Sequence, residues 1–184
     1  KKKVSETDFT QVFAGNKKIE SLQIYGEELT QDTREGYNKL LITYESGSIP
    51  THGITATYNK DTGLFKVVGT ATEPTWINIF PILKSGTGQG DAGENVDVNG
   101  KYLVSNYSKW DSTNKIEVIF TDDTNTITQL NYAGLTYMKF NTETINRGWI
   151  YIPSTGTELN EEFWLMITDT YENKPYEQYG AMPS

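Results

Sequence analysis

Residues 53–72 read Gly53-Ile54-Thr55-Ala56-Thr57-Tyr58-Asn59, then Lys60-Asp61-Thr62-Gly63, then Leu64-Phe65-Lys66-Val67-Val68-Gly69-Thr70-Ala71-Thr72. Two runs rich in β-branched and aromatic residues flank a short polar turn, with glycine where a positive φ is needed, which is the pattern of a β-hairpin. Working outward from this hairpin, further strand-like runs are Lys39–Glu45, Trp76–Leu83, Lys101–Ser105, Lys115–Thr121, Thr126–Leu130, Leu135–Phe140, Gly148–Ile152 and Phe163–Thr168. Turn-rich segments at Ser46–His52, Ser85–Gly100, Asp122–Asn125, Asn141–Asn146 and Pro153–Asn160 separate them. Many short strands with such breaks predict an all-β sandwich or barrel. The stretch Thr157–Ile167 carries two patterns: Leu159, Phe163 and Met166 at helical spacing, or Phe163, Leu165 and Ile167 alternating with Trp164 and Met166 as a strand. A short turn followed by a strand is the preferred expectation.

The 184 residues suffice for one sizeable core, and 22% charged with 36% hydrophobic residues is a globular balance. The formal charge of −8 argues against a nucleic-acid partner, because phosphate binding needs a concentrated basic surface. Cysteine is absent, which removes disulfides, thiol nucleophiles and Cys-containing zinc sites. The strongest apolar stretch, Trp76–Leu83, is interrupted by Asn78 and Pro81 and falls short of the ~20 residues of a membrane-spanning helix. Neither membrane insertion nor an export signal is expected. Residues 1–35 are expected to be an N-terminal linker with a lead-in strand at Ser21–Tyr25, residues 36–175 the sandwich, and residues 176–184 a C-terminal linker; the ragged start and the Met-Pro-Ser ending suggest a module excised from a longer chain.

Strand alternation sorts side chains between faces. Ile116, Val118 and Phe120 oppose Lys115, Glu117 and Ile119; Ile77 and Ile79 oppose Trp76, Asn78 and Phe80; Ile150 and Ile152 oppose Arg147, Trp149 and Tyr151. A face mixing Trp, Tyr, Asn and Arg suits a sugar, whose apolar C–H side stacks on a ring while its hydroxyls pair with neighbouring polar groups. The candidate carbohydrate-binding residues are Trp76, Asn78, Tyr107, Trp110, Arg147 and Trp149. Trp110, set in the polar loop Asn106-Tyr107-Ser108-Lys109-Trp110-Asp111, is expected at the surface. Trp76 and Trp149 suit core and ligand face equally, Trp164 is assigned to the core, and ordinary surface packing is the plainer account of Tyr107 and Arg147.

Other motifs carry less. Gly88-Gln89-Gly90-Asp91-Ala92-Gly93 satisfies G-x-G-x-x-G, but no amphipathic helix follows and acids crowd the place of a pyrophosphate. Asp91, Glu94 and Asp97 offer oxygen ligands for calcium without the spacing of a recognised loop, so a solvated acidic loop is preferred and no cofactor is expected. Asp122-Asp123 with Asn125 reads as a turn. His52 is the sole histidine and sits in a loop, and no G-x-S-x-G elbow exists.

The order of several stretches resembles a domain type repeated in tail and baseplate proteins of bacteriophages that infect Gram-positive bacteria. The stretches are Ile24-Tyr25-Gly26, Gly36-Tyr37-Asn38-Lys39-Leu40-Leu41, Gly53–Thr72, Trp76–Phe80, Gly100-Lys101-Tyr102-Leu103-Val104-Ser105, Tyr151-Ile152-Pro153-Ser154-Thr155-Gly156-Thr157 and Tyr176–Ser184. The resemblance spans nearly the whole chain, departing at Gln178, where proline is usual, and in a long insert at Ser85–Asn99. It implies a jelly-roll β-sandwich of two antiparallel sheets. The implied role is a carbohydrate-binding module of a distal tail, receptor-binding or other baseplate protein, made in the host cytoplasm and located at the tail tip of the virion. The implied partners are host cell-wall polysaccharide and, through the parent chain, other tail proteins. A non-catalytic role is expected. Two other classes stay open: a glycoside hydrolase, with Glu45, Glu117, Glu143, Glu161 and Asp169 as the acids available to pair across a scissile bond, and a purely structural tail spacer.

Overall fold

The computed structural model describes residues 38–44, 47–86, 92–113, 115–172 and 174–179. The lead-in strand expected at Ser21–Tyr25 lies outside them, as do Glu45 and Asp91. Fourteen strands and no helix are found among the described residues. The strands are β1 (Thr43–Tyr44), β2 (Ser48–Thr51), β3 (Ile54–Asn59), β4 (Leu64–Thr70), β5 (Thr75–Phe80), β6 (Ile82–Gly86), β7 (Val96–Asp97), β8 (Tyr102–Ser105), β9 (Glu117–Thr121), β10 (Ile127–Leu130), β11 (Tyr137–Lys139), β12 (Thr144–Ile145), β13 (Arg147–Ile152) and β14 (Glu158–Thr168).

Two six-stranded sheets form the body, in the orders β1-β6-β5-β13-β9-β10 and β11-β8-β14-β4-β3-β2, with β7 and β12 as a separate pair. Pairing is antiparallel throughout except for the two-residue contact of β1 with β6. The chain steps between the two large sheets at β1 to β2, β4 to β5, β8 to β9, β10 to β11 and β13 to β14, and by way of β7 and β12 at β6 to β8 and β11 to β13. This is a two-sheet β-sandwich, as the strand count and turn chemistry predict.

The interior follows from period-2 alternation. Ile54, Ala56, Phe65, Val67, Leu103, Leu159, Phe163, Leu165 and Ile167 from one sheet meet Ile77, Ile79, Leu83, Val118, Phe120, Leu130, Ile150 and Ile152 from the other in one buried cluster. Phe163 and Phe65 approach with ring centroids 5.7 Å apart at its centre. Strand β14 is longer than expected because it serves two neighbours: Glu158–Trp164 pair with β4 and Leu165–Thr168 with β8. The helical reading of Thr157–Ile167 is therefore not realised.

Turn chemistry fixes the hairpin register. His52 and Gly53, at φ 47° and 79°, make a two-residue connection between Thr51 and its partner Ile54, so the expected turn at Ser46–His52 also contains β2. Asn59 Oδ1 accepts from the Asp61 and Thr62 amides in the next turn. Gly69, at φ 119°, lies against Gly53, and a methyl group there would run into the Gly53 carbonyl. Gly69→Ala is expected to cost about 2 kcal/mol, read as a lower urea midpoint; an unchanged midpoint would mean the strands part without penalty. The run Trp76–Leu83 splits into β5 and β6 at Pro81, which has no N–H for the ladder. Among the described residues of the expected strand Lys39–Glu45, Thr43 and Tyr44 form β1.

A clasp joins early and late residues. Asn38 Oδ1 accepts from the Leu40 and Ile167 amides while its Nδ2 donates to the Glu177 carbonyl. Lys39 N–H donates to the Ile167 carbonyl. Tyr176 lies on Trp164 (centroids 6.2 Å apart), and Trp164, Val104 and Met166 form a second buried cluster on the outer side of their sheet. Tyr176 and Glu177, expected to begin a linker, are thus packed against the sandwich, because β8 and β14 turn apolar side chains outward as well as inward.

Candidate functional site

The outer side of the sheet containing β5, β13 and β9 is built as rows of directly opposed residues. One row runs Gly86, Trp76, Tyr151, Glu117; the next runs Lys84, Asn78, Trp149, Ile119, Gln129. Cross-strand partners share a face, so alternation that sends Ile77, Val118 and Ile150 inward sends these outward. Trp76 and Tyr151 are half-buried and stack with centroids 3.9 Å apart at 24°. Trp149 meets Trp76 edge-on at 5.8 Å. Together they make an aromatic platform.

Of the six residues singled out, the structure brings Trp76, Asn78 and Trp149 together in this platform. Only Trp76 is partly open; Asn78 (4% exposed) and Trp149 (5%) form its floor. The buried Asn78 Oδ1 has no hydrogen-bond partner. Arg147 sits at the far end of the same face, where its guanidinium reaches the Asp122 carbonyl (3.4 Å) and the Asp123 carboxylate (3.8 Å), so it is committed to the β9–β10 turn.

Trp110 and Tyr107 require correction. Trp110 is completely buried, its ring 5.0 Å from Phe163 and 4.6 Å from Tyr107, and Tyr107 is only 6% exposed. Their loop looks polar because Asn106, Ser108 and Lys109 face out while residues 107 and 110, three apart, turn inward to cap the Phe163 end of the core. Burial, then the nearby Glu161 carboxylate, pushes the Tyr107 hydroxyl above its usual range, although no hydrogen bond of good geometry joins them. Trp164 is buried as expected, but in the outer cluster beneath Tyr176.

Two acids are tuned in opposite directions. Glu117 is 6% exposed beside Tyr151, and burial pushes its carboxyl up to about 7. Asp122 is also buried, which alone would raise it, but bonds from the Thr142 and Thr124 hydroxyls and the Thr126 and Thr124 amides hold it down to about 2. These bonds make Asp122 the organiser of the β9–β10 turn. Elsewhere His52 meets Glu73 at 3.3 Å on the surface, and Lys101 bridges Asp97 and Asp169 at 3.7 Å each. No group of three potential metal ligands is found among the described residues.

Sequence reasoning passed over a second feature. An open groove of about 350 Å³ lies where β10, the edge of one sheet, meets β11, the edge of the other; Ile127, Gln129, Asn131, Tyr132, Met138 and Asn141 line it. Tyr132 is 65% exposed. No local pattern marks these residues, since the groove is assembled from two strands and two turns. Compared with known proteins, the chain matches no family model, no curated protein and no solved structure.

Proposed function

We propose that this domain is a non-catalytic carbohydrate-binding module that attaches a phage tail or baseplate protein to a saccharide of the Gram-positive cell wall. The observation that carries the reading is the Trp76–Tyr151 stack beside Trp149, Asn78 and Lys84 on one face of a rigid sheet. Rings supply the apolar contact that a pyranose needs, and Lys84 at the edge of the next row brings a hydrogen-bonding head group beside them. The orders β5-β13-β9-β10 and β4-β14-β8-β11, with a change of sheet at each linked pair, support the jelly-roll description. The attribution to a tail protein rests on the ordered stretches from Ile24 to Ser184. Many copies on one particle would turn modest single-site affinity into firm attachment.

Trp76→Ala is expected to weaken binding to purified wall polysaccharide about 10-fold, the equivalent of roughly 1–1.5 kcal/mol for one aromatic stack. Isothermal titration against the unmodified protein checks this; equal affinities would remove the platform from the binding surface. A hydrolase is the second reading, favoured by one observation: Glu117, whose carboxyl burial raises to about 7, stands in the platform row. No second carboxylate shares those two rows, which favours binding over bond cleavage. Steady release of reducing ends, abolished by Glu117→Gln, would reverse that preference.

A further inference from the structure

We infer that the groove between β10 and β11 is a second saccharide subsite, selective for an uncharged pyranose, a step that rests on the carbohydrate-binding reading above. Its volume of about 350 Å³ is at the lower end of small-molecule sites. The chemistry of its lining is specific. Tyr132 offers an open ring, while Gln129 and Asn141 each bring an acceptor oxygen and a two-donor nitrogen, the pairing that adjacent sugar hydroxyls require, with the buried Asn131 (5% exposed) behind them. Ile127 and Met138 supply apolar contact, and no charged side chain lines the groove. An anionic ligand would find no cation here and would approach a chain of formal charge −8.

The walls are held before any ligand arrives. The turn carrying Tyr132 is tied by Ser112 N–H to the Asn131 carbonyl (3.1 Å), Gly134 N–H to the Ser108 carbonyl (2.7 Å) and the Lys109–Ala133 bridge. On the other side Asn141 N–H donates to Thr128 Oγ1 at 3.3 Å. The loop that braces the Tyr132 turn is the one anchored in the core by Trp110. Little conformational entropy is left to lose on binding, which favours affinity in a small site. The β10 wall of the groove lies on the same sheet as the platform but apart from it: Gln129 ends the row that begins with Lys84, and Asn78, Trp149 and Ile119 between them are buried.

The test is an amide-resolved NMR titration of the whole chain with methyl glycosides of glucose, galactose and N-acetylglucosamine, with glucuronate and glycerol phosphate as anionic comparators. It is paired with affinity measurements on purified wall polysaccharide for Tyr132→Ala, Gln129→Ala and Trp76→Ala. The expected result is movement of the Gln129, Asn131 and Asn141 side-chain amides with at least one neutral glycoside, and an affinity loss of about 5-fold or more in both Tyr132→Ala and Gln129→Ala. Wild-type affinity in both groove variants, together with loss in Trp76→Ala, would overturn the subsite and leave the platform standing. A larger response to the anionic comparators would overturn the selectivity. No response to any glycoside or to the polysaccharide would overturn both readings.

Discussion

Trp110→Ala is expected to destabilise the domain by about 3–5 kcal/mol, the usual cost of emptying a buried indole site. The ring is fully buried and contacts Phe163 and Tyr107, so its removal opens a void at the end of the core that neighbouring strands cannot close. At about 2–4 °C per kcal/mol for a chain of this size, the thermal midpoint should fall by about 6–20 °C. Trp110→Phe should be much milder, because it keeps an aromatic body and deletes an indole N–H that has no partner in the structure. A midpoint within about 2 °C of the parent for Trp110→Ala, by differential scanning calorimetry, would contradict the burial described here. Trp76→Ala serves as the contrast, since half of that ring's surroundings are solvent and Tyr151.

The second large effect is a pH dependence seated at Glu117. Its carboxyl, raised by burial to about 7, prefers the neutral form in the folded chain far more than in the unfolded one. The stability it contributes is complete below the unfolded pKa of about 4.3 and is lost as pH rises through 7. The ceiling on the loss is roughly 4 kcal/mol, from 1.36 kcal/mol per pH unit over the gap between the two values. Asp122 acts at the opposite end: held at about 2, it contributes stability above its unfolded value of about 3.9 that disappears as pH falls through 2. Urea midpoints should therefore be higher at pH 5 than at pH 8, and Glu117→Gln should flatten that decline. If the glutamine variant kept the parent's slope between pH 5 and 8, another group would be responsible.

Much of the sandwich is legible in local patterns. Between Gly53 and Thr72 the β-branched runs and the glycines select the hairpin almost residue by residue. In 76–80, 116–120 and 149–152 alternation sorts inner from outer side chains because a pleated strand allows only two directions. The rest depends on non-local facts. Strands β7 and β12 are two residues each and exist only because they meet each other. The first half of β14, with Glu158, Glu161 and Glu162, resembles a turn until β4 is placed beside it. Trp110 was expected outside on the polarity of its neighbours, yet a loop that crosses the end of a core can turn every third side chain inward. The groove around Tyr132 has no sequence signature because its two walls come from edges of different sheets.

The Asn38–Glu177 clasp has a mechanical consequence. Tension drawn through these two residues meets first the side-chain bonds of Asn38, the Lys39–Ile167 backbone bond and the seat of Tyr176 on Trp164, all gathered beside the last strand. The sheet face bearing Trp76 and Tyr151 lies on the opposite layer and takes no part in these contacts. The aromatic face and the clasp thus belong to different layers, and strain at one need not reach the other.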